Sequence, residues 1–311
     1  MTGLVARAAP HALLVSMAAF VVILTMLEPA FLSASNLVGI LRSVALIGIM
    51  ALGMTFVIMT GGIDLSVGPV SAIAGLVAYF ILLSGHGLVV ALLAGAGLGL
   101  IIGVANGLLI ASLGLPAIIV TLGTLSIVRG SALLLGGPDL HGIRDQAAYS
   151  FLGAGNLAGL PVPVLIFIAL AALVWFIQSR TPFGTMVAAV GDNERAAWLS
   201  GLNVAVIKAA TYGLCGLLAA VAGMIQSSQV HTASATYGKF GTELDVIAAV
   251  VLGGTQLSGG AGSVARTLLG VVFLGILNNG MNILNVSIDI QLIAKGVIIA
   301  LALSLAARRA E

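Results

Sequence analysis

Leu88–Ile110 reads LVVALLAGAGLGLIIGVANGLLI, without a single charge and with Asn106 as its only polar side chain. A helix of about 20 apolar residues spans the roughly 30 Å hydrocarbon core of a bilayer. Hydrocarbon offers backbone groups no water, so only helices and closed barrels cross it. A barrel strand alternates apolar and polar residues over a short segment. This stretch, like Val44–Met59, is apolar on every face, and that fixes it as a helix. The rest of the chain agrees. Of its 311 residues 60% are hydrophobic and only 7% charged, and its mean hydropathy is +1.22. A soluble domain carries about 25% charged residues to keep its surface wet, so most of this surface must face lipid. The fold class is therefore all-α and polytopic.

Several functions are excluded at the same level. A net charge of +2 without a basic run gives nucleic acid nothing to bind. The only cysteine, Cys215, permits no intrachain disulfide and no cysteine-based metal centre. His11, His86, His141 and His231 lack ligand spacing, so no metal site is expected. There is no phosphate-binding Gly-rich loop ending in Lys-Ser/Thr, no His-Glu-x-x-His and no Gly-x-Ser-x-Gly. The chain has no catalytic constellation. If it moves a solute uphill with ATP, another chain must bind the nucleotide.

Breakers and polar clusters divide the sequence into about ten spans, near 12–31, 40–60, 66–84, 88–112, 117–136, 161–178, 205–226, 243–254, 264–283 and 289–306. Together they form one transmembrane domain over 1–311. Ala12–Leu27, preceded by Arg7, fits a first spanning helix better than a signal-peptide core, since further hydrophobic helices follow. The eighth segment is too short to cross alone and is expected to be broken or re-entrant. With the N-terminus inside, cytoplasmic segments hold Arg7, Arg180, Arg195, Lys208, Arg266, Arg308 and Arg309, and the outer loops hold Arg144 and Lys239. That skew follows the positive-inside rule and favours an even number of crossings. Two longer polar stretches remain: an outer loop at 137–160 with Asp139, His141, Arg144 and Asp145, and a charged cytoplasmic segment at 180–204.

Gly61-Gly62-Ile63-Asp64-Leu65-Ser66 interrupts two apolar runs. The glycines stop one helix, and Asp64 or Ser66 can cap the next. An acid at membrane depth is also expensive and tends to carry a role, so Asp64 is either a cap or part of a gate. Gly61–Gly68 has an echo in Gly253–Gly260, and transporters commonly place their site where broken helices of two repeats meet. Gly95, Gly99, Gly103 and Gly107 recur every four residues, a spacing that lets helices approach closely. Asn106, Thr121, Thr124, Ser126, Gln226, Asn278, Asn279 and Asn282 lie in otherwise apolar spans. They either line a path for an uncharged, hydroxyl-rich solute or glue helices together. Arg129 and Lys295 either snorkel to an interface or pair with Asp64, Asp245 or Asp289.

The cytoplasmic run Gly191-Asp192-Asn193-Glu194-Arg195-Ala196-Ala197-Trp198-Leu199-Ser200-Gly201 has the marks of a short helix outside the bilayer. Asp192 is its candidate N-cap, Glu194 suits the first turn, and Gly201 suits the C′ position. Trp198 and Leu202, one turn apart, would expose an apolar knob to a partner.

These stretches carry a family resemblance. Gly61–Gly68, Thr181–Gly201 with Phe183-Gly184 and Gly191–Ala197, Gly107–Gly137 with Pro116, Thr121–Thr124 and Arg129-Gly130, and Glu243–Asn282 with Leu277–Gly280 resemble the permease subunits of ribose-type (carbohydrate uptake) ABC importers. The resemblance implies a type II importer-like permease in the bacterial inner membrane. It also implies a second copy in a homodimer, two cytoplasmic ATPase subunits that hold ATP and Mg, and a periplasmic or lipid-anchored sugar-binding protein. Gly191–Leu199 with Gly201 would couple to the ATPase, with no cofactor on this chain. Gly61, Gly62, Asp64, Ser66, Asn106, Thr121, Thr124, Asn278, Asn279 and Asn282 would form the path or gate. Asp192, Thr185-Met186 and Arg266 depart from the family pattern, which leaves coupling strength and sugar identity open. A branched-chain amino acid permease should lack Asp64-Leu65-Ser66, and an ion-coupled secondary transporter would need ionisable groups along the path.

Overall fold

The computed structural model describes residues 2–144, 146–238 and 241–307, with side chains described from 13 to 298 and at Ala300. Of the charges used above to orient the chain, Lys239, Arg308, Arg309 and the side chain of Arg7 lie outside the described residues, as does Asp145 of the outer loop. The elements run α1 (Thr2–Leu27), a 3-10 turn (Pro29–Leu32), α2 (Ala34–Met59), α3 (Val67–Leu83), α4 (Leu88–Leu113) and α5 (Ala117–Gly136). Then come α6 (Ala147–Ala154), α7 (Val162–Arg180), α8 (Pro182–Asp192), α9 (Glu194–Leu199), α10 (Val204–Gln229), α11 (Thr242–Leu252), α12 (Val264–Ile283) and α13 (Ile288–Ala307).

Six helices are long and apolar enough to cross a bilayer among the described residues: α2, α4, α5, α7, α10 and α12. The protein is a polytopic helical bundle. The ten expected segments are all helical, but the third and eighth are short: α3 has 17 residues and α11 has 11. The outer loop is more ordered than its composition suggests. It contains α6, and His141–Gly142 pairs antiparallel with Thr232–Ala233. The Tyr149 hydroxyl on α6 donates to the Met224 carbonyl at 2.9 Å, and Ser228 Oγ accepts from Gly153 N–H at 2.7 Å. Burial pushes the Tyr149 hydroxyl up to about 12, against the opposing pull of its Ser227 hydrogen bond, so it remains a donor.

α10 is the centre of the bundle, packed against α2, α3 and most closely α4. The glycine stripe explains the last contact. A Cβ at Gly99 or Gly103 would run into the carbonyl oxygens of Gly216 and Tyr212, and one at Gly107 would sit 2.6 Å from the Lys208 carbonyl oxygen. Backbone therefore meets backbone along the α4–α10 seam from Gly99 to Gly107, as small residues at this spacing permit.

α3 and α11 start deep in the bundle, with their first turns side by side. A Cβ on Gly68 would lie 2.7 Å from the Gly238 carbonyl oxygen and 2.9 Å from Glu243 Oε2. The described chain before each is unwound, at 60–66 and 234–238. Arg129 holds the second of these segments. Its guanidinium donates to the carbonyls of Ala235 (2.6 Å), Tyr237 (2.6 Å) and Gly238 (2.8 Å). Arg129 thus pairs with backbone and not with Asp64, Asp245 or Asp289, one of the two alternatives read for it. Irregular backbone is tolerated at membrane depth only where protein satisfies it, and the five-donor guanidinium fork suits that task. Lys295 does find an aspartate: its ammonium lies 2.8 Å from Asp245 Oδ2, joining α13 to α11.

Candidate functional site

The two motif segments of the sequence come together at one end of the bundle, where α2, α8 and the loop after α11 finish. Gly260 N–H donates to the Met59 carbonyl at 2.9 Å. Gly191, the next-to-last residue of α8, fills the gap beside them, so closely that a Cβ there would strike the Met59 carbonyl. A Cβ on Gly61 would lie 3.5 Å from the Ser258 carbonyl. The echoed Gly61–Gly68 and Gly253–Gly260 segments are therefore physical neighbours, and the predicted coupling segment touches the second at Gly259 and Gly260 and meets Met59 just before the first.

α9 is capped differently from expectation. Asp192 ends α8, and Asn193, in extended conformation at φ −159°, is the N-cap, its Oδ1 accepting from Ala196 N–H at 2.9 Å. One residue of extended chain at Asn193 separates α8 from α9, so the expected helix starts one residue later than read. The other end behaves as read. Gly201 has φ +87°, its N–H donates to the Trp198 carbonyl at 2.9 Å, and Leu202 N–H donates to the Ala197 carbonyl at 3.1 Å. That pair of bonds is a Schellman motif. It folds Leu202 back onto the core, so the exposed apolar pair is Trp198 (63% exposed) and Leu199 (70%) rather than Trp198 and Leu202. Arg195 and Ala196 are exposed, while Ala197 is buried against the bundle. Glu194 meets Lys208 on α10, Oε2 to Nζ at 2.6 Å, and the ion pair ties α9 to the central helix.

The break at Gly61–Ser66 is organised by its own Asp64 and Ser66 and by side chains from α4 and α5. Asp64 is 1% exposed. Its Oδ1 accepts from Ser66 N–H (2.9 Å) and Ser66 Oγ (2.6 Å), an Asx turn leading into α3 rather than a helix cap. Asn106 Nδ2 donates to Ser66 Oγ at 3.2 Å, and Thr124 Oγ1 donates to Asn106 Oδ1 at 2.5 Å. Thr121 Oγ1 faces the Ile63 carbonyl at 3.2 Å and bonds back to Ala117. Asp64, Ser66, Asn106 and Thr124, scattered over sixty positions of sequence, thus form one hydrogen-bonded chain, and Thr121 meets the same break at the Ile63 carbonyl. Asp64 Oδ2 is buried with no partner among the described residues.

The α12 asparagines stand apart from that network and from one another. Asn278 Nδ2 reaches Asp245 Oδ2 at 3.5 Å, Asn279 exchanges hydrogen bonds with Asn36 at 2.8 and 3.0 Å, and Asn282 Oδ1 accepts from Gln291 Nε2 at 2.9 Å. They bind α11, α2 and α13 in turn, the helix-gluing role. Ser126 is exposed and bonds back to the Leu122 carbonyl, and Gln226 is half-buried. Tyr212, whose hydroxyl approaches Gly62, was not marked by the sequence: a tyrosine within an apolar helix carries no local signal.

The family model for the branched-chain amino acid transport system / permease component matches residues 36–303. This chain belongs to that permease family. The permease is 42% identical to the ribose import permease protein RbsC of Bacillus subtilis over 286 residues, 92% of this chain and 88% of the relative. It is 41% identical to RbsC of Escherichia coli over 292 residues, 93% of this chain and 91% of the relative. It is 35% identical to the L-arabinose transport system permease protein AraH of E. coli, covering 93% and 88%. No solved structure matches the permease.

Proposed function

We propose that this permease is the membrane-spanning subunit of an ATP-driven ABC importer that carries a monosaccharide across a bacterial inner membrane. One observation carries the mechanism: α9, capped at both ends and exposing Trp198 and Leu199, is tied to α10 through Glu194–Lys208 and, through Gly191, to Met59 at the edge of the Gly61–Ser66 break. A rigid helix with an exposed aromatic is a handle for a partner, and this handle is fastened beside one of the two breaks described above. Relatives named for ribose and arabinose, across nearly the whole chain, favour a sugar over the amino acids in the family's description.

In this reading the chain crosses ten times with both ends in the cytoplasm, α3 and α11 being the two broken crossings. Two copies form the channel, a cytoplasmic ATPase binds ATP and Mg and grips α9, and a periplasmic or lipid-anchored protein delivers the sugar. No cofactor binds this chain. Asp64, Ser66, Asn106 and Thr124, with Thr121 at the Ile63 carbonyl, hold the gate formed by Gly61 and Gly62. Asn278, Asn279 and Asn282 fix α12 beside it. Driving the bundle between states requires that ATP and sugar bind those states with different affinity. Reconstitution with the ATPase and the binding protein tests the whole: sugar should accumulate in liposomes only with ATP. Accumulation by the purified chain alone under an ion gradient would sink this reading in favour of a secondary transporter.

A further inference from the structure

Gln178, in the last turn of α7, is a half-buried amide that the sequence did not mark. Its side chain crosses to the start of α12, 86 positions later in the chain. Oε1 accepts from Val264 N–H at 2.8 Å, while Nε2 donates to the Gly262 carbonyl at 3.3 Å and faces Met59 Sδ at 3.1 Å. The first N–H groups of a helix have no partner within it. Ser263 Oγ meets that need for Arg266 N–H at 3.4 Å, and Gln178 meets it for Val264. A donor and an acceptor on one planar tip are what an amide supplies and an apolar or charged side chain of that length does not. The backbone of Gln178 makes a further contact. A Cβ on Gly184 would strike the Gln178 carbonyl oxygen, so α8 begins its return directly on this residue. The loop between α11 and α12 is therefore gripped at two points, at Gly260 from the end of α8 and at Gly262 from the end of α7. Since α12 packs on α11 and α2, a shift of its first turn reaches both.

We propose that Gln178 is a positioning residue of the transport cycle: its amide ties the start of the α8–α9 arm to the first turn of α12, so that the loop at 253–263 follows the arm when the ATPase moves it. This rests on the import function proposed above. It adds a second link, separate from the Gly191–Met59 contact, that continues into α12 and α11.

Gln178→Glu separates the link from the fold. It keeps an acceptor for Val264 N–H, and a negative charge suits a helix N-terminus, so this variant should melt close to the parent. It turns the donor into a second acceptor, set against the Gly262 carbonyl and the Met59 sulfur. Gln178→Leu loses both bonds and should melt lower. Hydrogen exchange, which reports local opening, is measured on the full complex with its ATPase, with and without a non-hydrolysable ATP analogue. In the parent the analogue should change exchange at 256–267 about fivefold, along with 191–201. In Gln178→Glu the response at 191–201 should persist while that at 256–267 falls below about twofold, and the ATP consumed per sugar imported should rise about fivefold. An unchanged response at 256–267 in Gln178→Glu, or none in the parent, overturns the proposal. So does a loss confined to Gln178→Leu and proportional to its lower melting temperature, which would make Gln178 a support of the fold alone. If Gln178→Leu does not fold, Gln178→Glu decides. ATP-driven uptake by the unsubstituted complex judges the import reading separately: parental uptake and exchange response in Gln178→Glu remove the positioning role and leave the importer intact.

Discussion

Gly191 sits against the Met59 carbonyl oxygen, closer than any side chain would allow, and so seats the end of α8 on the end of α2. Met59 also accepts from Gly260, which makes this one junction of three chain segments. Contact between backbones transmits displacement without the slack of side-chain rotamers. Gly191→Val should therefore force α8 away from α2. Overpacking of this kind costs about 1–3 kcal/mol. We expect a permease that still inserts and binds its ATPase, but whose ATP hydrolysis no longer responds to sugar. ATPase activity measured with and without loaded binding protein checks it, and normal stimulation would show the junction to be passive.

Glu194 is half-exposed while Lys208 is nearly buried, so the pair itself should add about 1 kcal/mol or less to stability. Its larger effect is on coupling. Glu194→Lys sets two ammonium groups side by side and should cut uptake at least tenfold with little change in expression. Adding Lys208→Glu should restore part of it if the ion pair is the link. A double-mutant cycle on uptake rate gives the coupling energy directly, and purely additive losses would deny the two residues a joint role.

The reading of α9 from sequence succeeded at Gly201 and failed at Asp192, and the difference is physical. A C′ glycine is required by a positive φ that few residues tolerate, so its position announces itself. The N-cap choice between adjacent Asp192 and Asn193 depends on which residue leaves helical φ, and that was decided by α8 running on through Asp192 to reach Gly260. Long apolar helices were legible for a similar reason, because lipid constrains every face. The partners of polar residues were not. Asn106 and Asn279 look alike in the sequence, yet one joins the Asp64 network and the other pairs with Asn36. Such choices are made by contacts distant in the chain.

Asp64→Asn keeps an oxygen for the Asx turn and should leave the melting temperature nearly unchanged. Asp64→Ala removes both bonds to Ser66 and should cost about 1–3 kcal/mol. If the carboxylate serves the gate, uptake should fall at least tenfold in the asparagine variant despite its intact fold. Uptake equal to the parent would reduce Asp64 to a turn-former.

Arg129 offers the sharpest separation between charge and geometry. Its guanidinium satisfies three carbonyls of the unwound 235–238 segment at once. Lysine keeps the charge, but its compact ammonium cannot reproduce the planar fork. Arg129→Met leaves buried carbonyls unpaired, each costing about 1–3 kcal/mol, and should melt the protein well below the parent in detergent. Arg129→Lys should fall between the two, because one or two carbonyls can still be reached. The loss should concentrate at the start of α11, so hydrogen exchange at 241–246 should rise before exchange along α10. Uniform destabilisation of the bundle, with no early opening at α11, would mean that Arg129 supports the fold generally and does not act as the clamp on this broken crossing.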